Sequence, residues 1–253
     1  EVEGDLTTAL NLVRSMYADP DLVARHSLTL ANTMNIGRLL PQVFFYMYAF
    51  TRLRKKVRGD IFYSVPSGNY GNLVAGLYAW KFSLPVNGFI TDATAALSCD
   101  PAGQCRCTDS IVPLGERGAA DPASPSNIER LEQVFAVNPM ILSGLVFPAE
   151  VPQASVPEHM YSCFRKYGVM LDSAAASAYG AIEAVRDRIN SDEGTAVLVS
   201  KDHPAFESDL LRKACGSAPQ IPDILRTAHE PVAGAKTIRP DRKELEKVLE
   251  SFT

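Results

Sequence analysis

Residues 64–72, Ser-Val-Pro-Ser-Gly-Asn-Tyr-Gly-Asn, gather two glycines and two asparagines into one short turn. A β-type stretch, Asp60 to Val65, leads in, and an apolar helix-like stretch, Leu73 to Trp80, leads out. A strand, a glycine turn and a helix start together suit an anion. The first turn of a helix presents unpaired N–H groups and the positive end of its dipole. Glycine lets the backbone approach a ligand and take positive φ, and the combination makes a phosphate cradle. The spacing is not G-x-G-x-x-G and no G-K-[ST] follows, so neither the dinucleotide fingerprint nor the P-loop applies. On the residues alone, a phosphate cradle and a plain structural βα turn both remain open.

A second cluster is Cys99, Cys105 and Cys107, in a stretch rich in Gly, Pro and Asp. Its C-x5-C-x-C spacing lacks C-x-x-C pairs and a neighbouring histidine, so no metal site is expected. Five cysteines, an odd number, fit a reducing cytoplasm better than a disulfide framework. The one dense basic run, Arg52 to Arg58, is expected to be a solvated helix end. With a net charge of −4 and no basic stripe, a nucleic-acid surface is not expected. No apolar run is long enough to span a bilayer, and no signal-peptide pattern opens the chain. The chain starts at Glu1 rather than Met, which suggests a piece of a longer protein.

The elements that would position these residues follow from periodicity. Residues 5–17 suit a helix with Leu6, Leu10, Val13 and Tyr17 on one face. Asp19-Pro20-Asp21 breaks it and can start another turn. Asn32 to Asn35 would cap a long buried helix from Ile36 to Leu53. Strands are expected at 84–91, at 168–171 and at 194–200, the last with the continuous apolar centre of a parallel strand. Helices are expected at 128–135, 158–167, 174–189, from 204 to 215, and at the amphipathic end, 239–250, with Pro240 near its start. Residues 92–126 are expected to be a mobile, loop-rich segment with few core residues. Alternating strands and helices in 253 residues predict an α/β fold with a mostly parallel sheet flanked by helices.

Several of these segments together resemble one family. "PSGNYGN" followed by "AGLYAWKFSLPV" is similar to the cofactor phosphate loop of the threonine synthases. "ANTMNIGRLLPQVFFYMYAF", "ASPSNIERLEQVF" and "EVEGDLTTALNLVRSMYADPDL" are similar to three further family segments, in the same order and spacing. That family is pyridoxal-phosphate dependent with the tryptophan-synthase-β-like fold, type II. The resemblance implies that residues 1–253 are a C-terminal portion, the large domain with part of the small one and a loop-rich insertion at 92–126. It implies a lyase of threonine biosynthesis that, when intact, converts O-phospho-L-homoserine and water to L-threonine and phosphate.

By the same resemblance Ser67, Gly68, Asn69, Tyr70, Gly71 and Asn72 would hold the pyridoxal phosphate, through backbone N–H groups, the Ser67 hydroxyl and the asparagine amides. Two segments, "VLVSKDHPAF" and "RTAHEP", compete to supply the hydroxyl at the pyridine nitrogen. Ser200, just after a clear strand, is preferred, and Thr227 is taken as coincidence. Asn35 and Arg38 would face the site or serve as a cap and a structural charge. The family's Schiff-base lysine lies in a Lys-Asp-x-x-x-Gln motif that is missing here. Lys201 is a solvated loop lysine on this reading, and the true lysine is expected upstream of Glu1, with the missing N-terminal portion as partner. The segment 171–181 departs from the family pattern, with Ala174 and Ala175 where His and Thr usually stand. It is read as a well-packed small-residue helix, and His203 as structural. The rival functions are a related phospho-lyase, and a non-catalytic chain that binds pyridoxal phosphate or another phosphate.

Overall fold

The computed structural model describes residues 1–136, 138–189, 194–228, 230, 234 and 236–251. In chain order the helices are α1 (Leu6–Tyr17), α2 (Pro20–Arg25), α3 (Leu40–Leu53), α4 (Gly71–Lys81), α5 (Ile128–Phe135), α6 (Met140–Leu145), α7 (Val156–Tyr167), α8 (Ser173–Ile189), α9 (Ser208–Cys215), α10 (Asp223–Ala228) and α11 (Arg242–Glu250). The strands are β1 (Ile61–Ser64), β2 (Gly88–Asp92), β3 (Leu97–Cys99), β4 (Cys105–Cys107), β5 (Val146–Ala149) and β6 (Thr195–Leu198). The chain divides into two units.

The smaller unit comprises Glu1–Arg38, Arg117–Pro125 and Asp223–Thr253. Its helices start on aspartates: Asp5 accepts from the Thr8 N–H, Asp19 from Leu22, and Asp241 from Lys243 and Glu244. Each carboxylate satisfies an orphan donor and faces the positive dipole end. Arg14 pairs with Asp121 at 2.9 Å, and Arg242 bridges Asp19 and Glu246. In α1 the buried residues are Leu12 and Met16, while Leu6 is exposed. The helix carries apolar residues in more than one direction, and packing selects a stripe beside the expected one.

The larger unit, Leu39–Glu116 with Ser126–Pro222, holds a four-stranded sheet in the order β5-β2-β1-β6. All its pairings are parallel, and crossover helices cover its faces, as parallel sheets require. Side chains alternate along β1. Ile61, Tyr63 and Val65 join the core formed with α3 and α4, whereas Phe62 packs with Ile90, Ala181 and Val185 on the other side. Ser64 also points that way and donates to the Ala178 carbonyl at 2.7 Å. Ala175, Ala176, Ala178 and Ala181 are fully buried, so α8 is the packed small-residue helix expected.

Three expectations are corrected. The third helix starts at Leu40, not Ile36, because Pro41 sits in its first turn and the preceding residues form a short 3-10 turn, Ile36–Arg38. Nor is that helix buried all round: Val43 and Tyr46 are inside, but Phe44, Phe45 and Tyr48 are 67%, 69% and 65% exposed. Residues 168–171 form no strand, since Gly168 ends α7 in the left-handed conformation (φ 68) and Leu171 turns into the core beside α7 and α8. Strand β5 and helices α6 and α10 carried no clear periodic signal.

Candidate functional site

The glycine turn lies where β1 ends and α4 begins, at the carboxyl edge of the sheet, which is where open α/β sheets bind ligands. Gly68 (φ 44) and Tyr70 (φ 60) both take the left-handed conformation, and the Tyr70 N–H closes the turn on the Ser67 carbonyl at 2.7 Å. A Cβ on Gly68 would meet nothing within 4 Å, so open space lies beside this backbone. Gly68 and Asn69 are exposed, while Ser67, Tyr70 and Gly71 are buried.

Five neighbours hold the turn. Asp92, at the end of β2, accepts from both the N–H and the hydroxyl of Ser67, each at 2.7 Å. The Tyr70 hydroxyl bonds that of Thr94, and burial pushes the Tyr70 phenol up to about 12. Asn127, fully buried, donates its backbone and side-chain N–H groups to the Asn69 carbonyl at 3.0 and 3.1 Å, and Arg130 in turn donates to Asn127. On the far side the Asn72 amide donates to Gln42 at 2.8 Å, and the Tyr46 hydroxyl donates to the Asn72 carbonyl at 2.6 Å.

This network narrows the expected donors. The Ser67 hydroxyl and the Asn72 amide already serve protein acceptors. The Asn69 side chain accepts the Gly71 N–H at 3.1 Å, an Asx-type turn that shapes the loop. Among the described residues, the backbone N–H groups of Gly68, Asn72 and Leu73 have no protein acceptor. Two of them belong to the first turn of α4, whose dipole is positive there. Asp92, Thr94, Gln42 and Asn127 escaped the sequence reading, because their roles arise only where strand ends and helices converge.

Ser200 follows β6, the strand paired parallel to β1 with Ser64 opposite Leu198. Ser200 therefore lies on the same carboxyl edge as the glycine turn, exposed, with its hydroxyl 3.5 Å from the Asp172 carboxylate. Asp172 caps α8 through the Ala175 N–H at 2.8 Å. Lys201 stands in solvent beside Asp202 at 3.4 Å, their side chains 60% and 59% exposed. His203 caps a short turn by accepting the Ala205 N–H at 3.2 Å, a structural role. Asn35 caps locally, accepting the Gly37 N–H at 2.9 Å, and Arg38 is an exposed residue of the same turn. Thr227 lies in α10, and part of "RTAHEP" (229 and 231) falls outside the described residues.

The cysteine expectation is overturned. Cys99 and Cys105, cross-strand partners in the β3–β4 hairpin, form a disulfide. Their directly opposed register brings two cysteines together that spacing alone left unpaired. Cys107 remains a thiol, and burial together with Glu132 and Asp109 pushes it up to about 12. The same hairpin puts Leu97, fully buried, into the core, one of the few core residues of the segment 92–126.

No family model matches the chain. Curated relatives do. A threonine synthase of Serratia marcescens is 30% identical over 252 residues, 98% of this chain and 57% of that protein. One of Escherichia coli is 29% identical over 232 residues, covering 88% and 51%. The chain thus spans about half the length of the curated relatives it matches. Among solved structures, the Escherichia coli threonine synthase superposes with a TM-score of 0.68 at 26% identity, over all of this chain and 58% of that one. A threonine synthase of Brucella melitensis, described as bound to PLP, superposes at 0.73 over 99% and 58%; at 22% identity it speaks to the fold alone.

Proposed function

We propose that this homologue of the threonine synthases is the C-terminal part of a pyridoxal-phosphate-dependent lyase. In its intact form the enzyme would convert O-phospho-L-homoserine and water to L-threonine and phosphate. The observation that carries the reading is the glycine turn: three backbone N–H groups without acceptors among the described residues, open space beside Gly68, and a helix dipole behind them. These features fit a phosphate monoester. They sit in the segment whose sequence resembles the family's cofactor loop.

When bound, pyridoxal phosphate would supply a conjugated ring that takes up negative charge from the substrate's reacting carbons. This chain's part is to hold and orient. Gly68, Asn72 and Leu73 would donate to the phosphate. Ser67, Asn69, Tyr70 and Gly71 would fix the backbone that aims those donors. The Ser200 hydroxyl would offer a neutral hydrogen bond at the ring nitrogen, from the strand next to the one that carries the cradle. The lysine that the chemistry needs is proposed to lie on a segment outside this chain, so the chain alone should not turn over. A cytoplasmic location goes with this reading, and cytosolic reductants would then act on the Cys99–Cys105 bond.

The test uses deoxypyridoxine phosphate, which lacks the aldehyde and cannot react with surface lysines. The chain should shift and broaden its phosphorus NMR line, inorganic phosphate should compete, and Gly68→Asp should abolish the shift. An unshifted line at millimolar ligand, with the chain shown to be folded, would overturn the reading.

A further inference from the structure

The β3–β4 hairpin stands apart from the main sheet as a two-stranded sheet of its own. Each strand is only three residues long, and so short a ribbon is marginal without a staple. Leu97 faces Cys107, Ser98 faces Arg106 and Cys99 faces Cys105. Next to these pairs, the Asp100 N–H donates to the Gln104 carbonyl and the Thr108 N–H to the Ala96 carbonyl, at 3.0 and 2.9 Å. By alternation Cys99 and Cys105 are a non-hydrogen-bonded pair, where facing side chains come closest, and the disulfide joins the strands there. The loop between them is already shut by its own bonds, from the Gly103 N–H to the Asp100 carbonyl and from the Gln104 N–H to the Asp100 carboxylate, both 2.9 Å. What the disulfide secures is the seat of β3 on β4, and Cys105 ties β4 to α6 by donating its N–H to the Ser143 hydroxyl at 3.3 Å.

At its other end β3 meets the glycine turn. Thr94 and Leu97 close a tight turn in which each N–H donates to the other's carbonyl, at 2.9 and 3.2 Å. The Thr94 hydroxyl bonds that of Tyr70, and two residues earlier Asp92 holds Ser67. One segment, 92–99, thus carries two of the groups that hold the glycine turn at one end and Cys99 at the other. Cys99 also lines a cavity of about 360 Å³, together with the exposed residues Asp100, Glu150 and Arg188, so a reagent can reach it from solvent.

We propose that Cys99–Cys105 is a redox-active pair whose state sets how firmly the glycine turn is held. Its reactant is a small dithiol. One thiol of the reagent attacks the Cys99 sulfur as a thiolate, breaks the S–S bond and expels Cys105, which takes up the proton the thiol gave up. The second thiol then attacks the reagent's own sulfur in the mixed disulfide, passes its proton to the expelled Cys99, and the reagent leaves as a cyclic disulfide. Two electrons pass from the dithiol to the cysteine pair, and the reagent's disulfide runs the exchange backwards. Cys107 stays out of it, because burial and nearby carboxylates keep it protonated and the thiolate is the attacking form. With the bond open, β3 loses its tie to the anchored strand, and Thr94 and Asp92 lose part of the order they lend to Tyr70 and Ser67. The oxidised chain should therefore bind a phosphate monoester more tightly than the reduced one. That last step rests on the proposed cofactor site, whereas the coupling of hairpin to turn does not. Disulfides in a reducing compartment are usually transient or redox-sensing, which suits a pair that stands beside the free thiols Cys107, Cys163 and Cys215.

The experiment compares the 253-residue chain with the bond closed and after treatment with excess dithiothreitol, with mass spectrometry reading the state of each cysteine. Amide hydrogen exchange is followed at Ser67, Tyr70 and Thr94, whose N–H groups are bonded in this network, and at Ala176 in α8 as the reference. Reduction should speed exchange at the first three by about tenfold, leave Ala176 unchanged, and weaken deoxypyridoxine phosphate binding by about threefold or more. The double variant Cys99→Ser, Cys105→Ser should match the reduced chain and ignore the dithiol, while Cys107→Ser should respond as the natural chain does. Circular dichroism establishes that every form is folded. A bond that resists excess dithiol, unchanged exchange at the turn after complete reduction, an equal rise at Ala176, or equal ligand affinity in both states would each overturn the proposal. Turn amides that respond in a chain that binds the ligand in neither state would sink the cofactor reading and leave the coupling standing. Equal binding in both states with still amides would sink the coupling alone.

Discussion

The Asp92 carboxylate, at the end of β2, takes both the backbone N–H and the hydroxyl of Ser67, at the end of β1, each at 2.7 Å. This charge-assisted fork ties two adjacent strand ends and sets where the glycine turn begins. Removing the carboxylate leaves two donors unsatisfied, whereas removing the hydroxyl leaves one bond in place. Asp92→Ala should therefore cost about 2 kcal/mol and Ser67→Ala about 1 kcal/mol. Urea unfolding of both and of the double variant checks this: the double should cost less than the sum. Strict additivity would show that the fork contributes no coupling.

Gly68 holds φ 44 with open space where its side chain would be. Gly68→Ala should destabilise the chain by only about 1 kcal/mol, the strain of a left-handed alanine. The new methyl enters the open space proposed to hold the anion, so affinity for deoxypyridoxine phosphate should fall much further, by about tenfold or more. Equal, small losses in both would mean that the space is not the ligand's.

The Cys107 thiol is held protonated by burial and by nearby carboxylates, at about 12. A thiolate is the reactive form, so native Cys107 should alkylate far more slowly than a free thiol at about pH 8. Cys99 and Cys105 should resist alkylation until a reductant is added. Iodoacetamide labelling read by mass spectrometry, native against unfolded, settles both. Rapid native labelling at Cys107 would contradict the burial described.

Tyr70 carries an alkaline signature. Burial raises its phenol from 10.0 to about 12, and Tyr63 is raised to about 12 by the same cause. A raised pKa means that the folded state favours the protonated form. That stability is intact below pH 10 and is lost as pH rises toward 12. Tyr70→Phe should flatten part of this loss, at the cost of the bond to Thr94. Stability measured across that window, with tyrosinate absorbance alongside, tests it. An unchanged slope would assign the loss to Tyr63 or other groups.

The sequence by itself was enough for the βα turn, the alternation of strands and helices and the helix start at Asp19-Pro20-Asp21, because these depend on neighbours in the chain. A strand leading into glycines, or an aspartate before an apolar run, carries its own local signal. Segment resemblance pointed to the same relatives that the comparisons found, and placed Ser67 to Asn72 at one turn. The third helix shows the limit: its pattern of apolar residues was legible, but not which of them would find a partner. Val43 and Tyr46 join the buried core, whereas Phe44, Phe45 and Tyr48 stay about two-thirds exposed.

Only the tertiary structure decided which donors of the turn have no acceptor among the described residues. Asp92, Gln42, Thr94 and Asn127 lie between 24 and 58 positions from the turn residues they bind, and no local pattern marks them. The same holds for the disulfide. Cys99 and Cys105 meet because the β3–β4 register places them opposite each other, and register is a property of two strands, not of either one. Periodicity and caps are written within a few residues. Satisfying a buried polar group is settled by whatever the fold brings within about 3 Å of it.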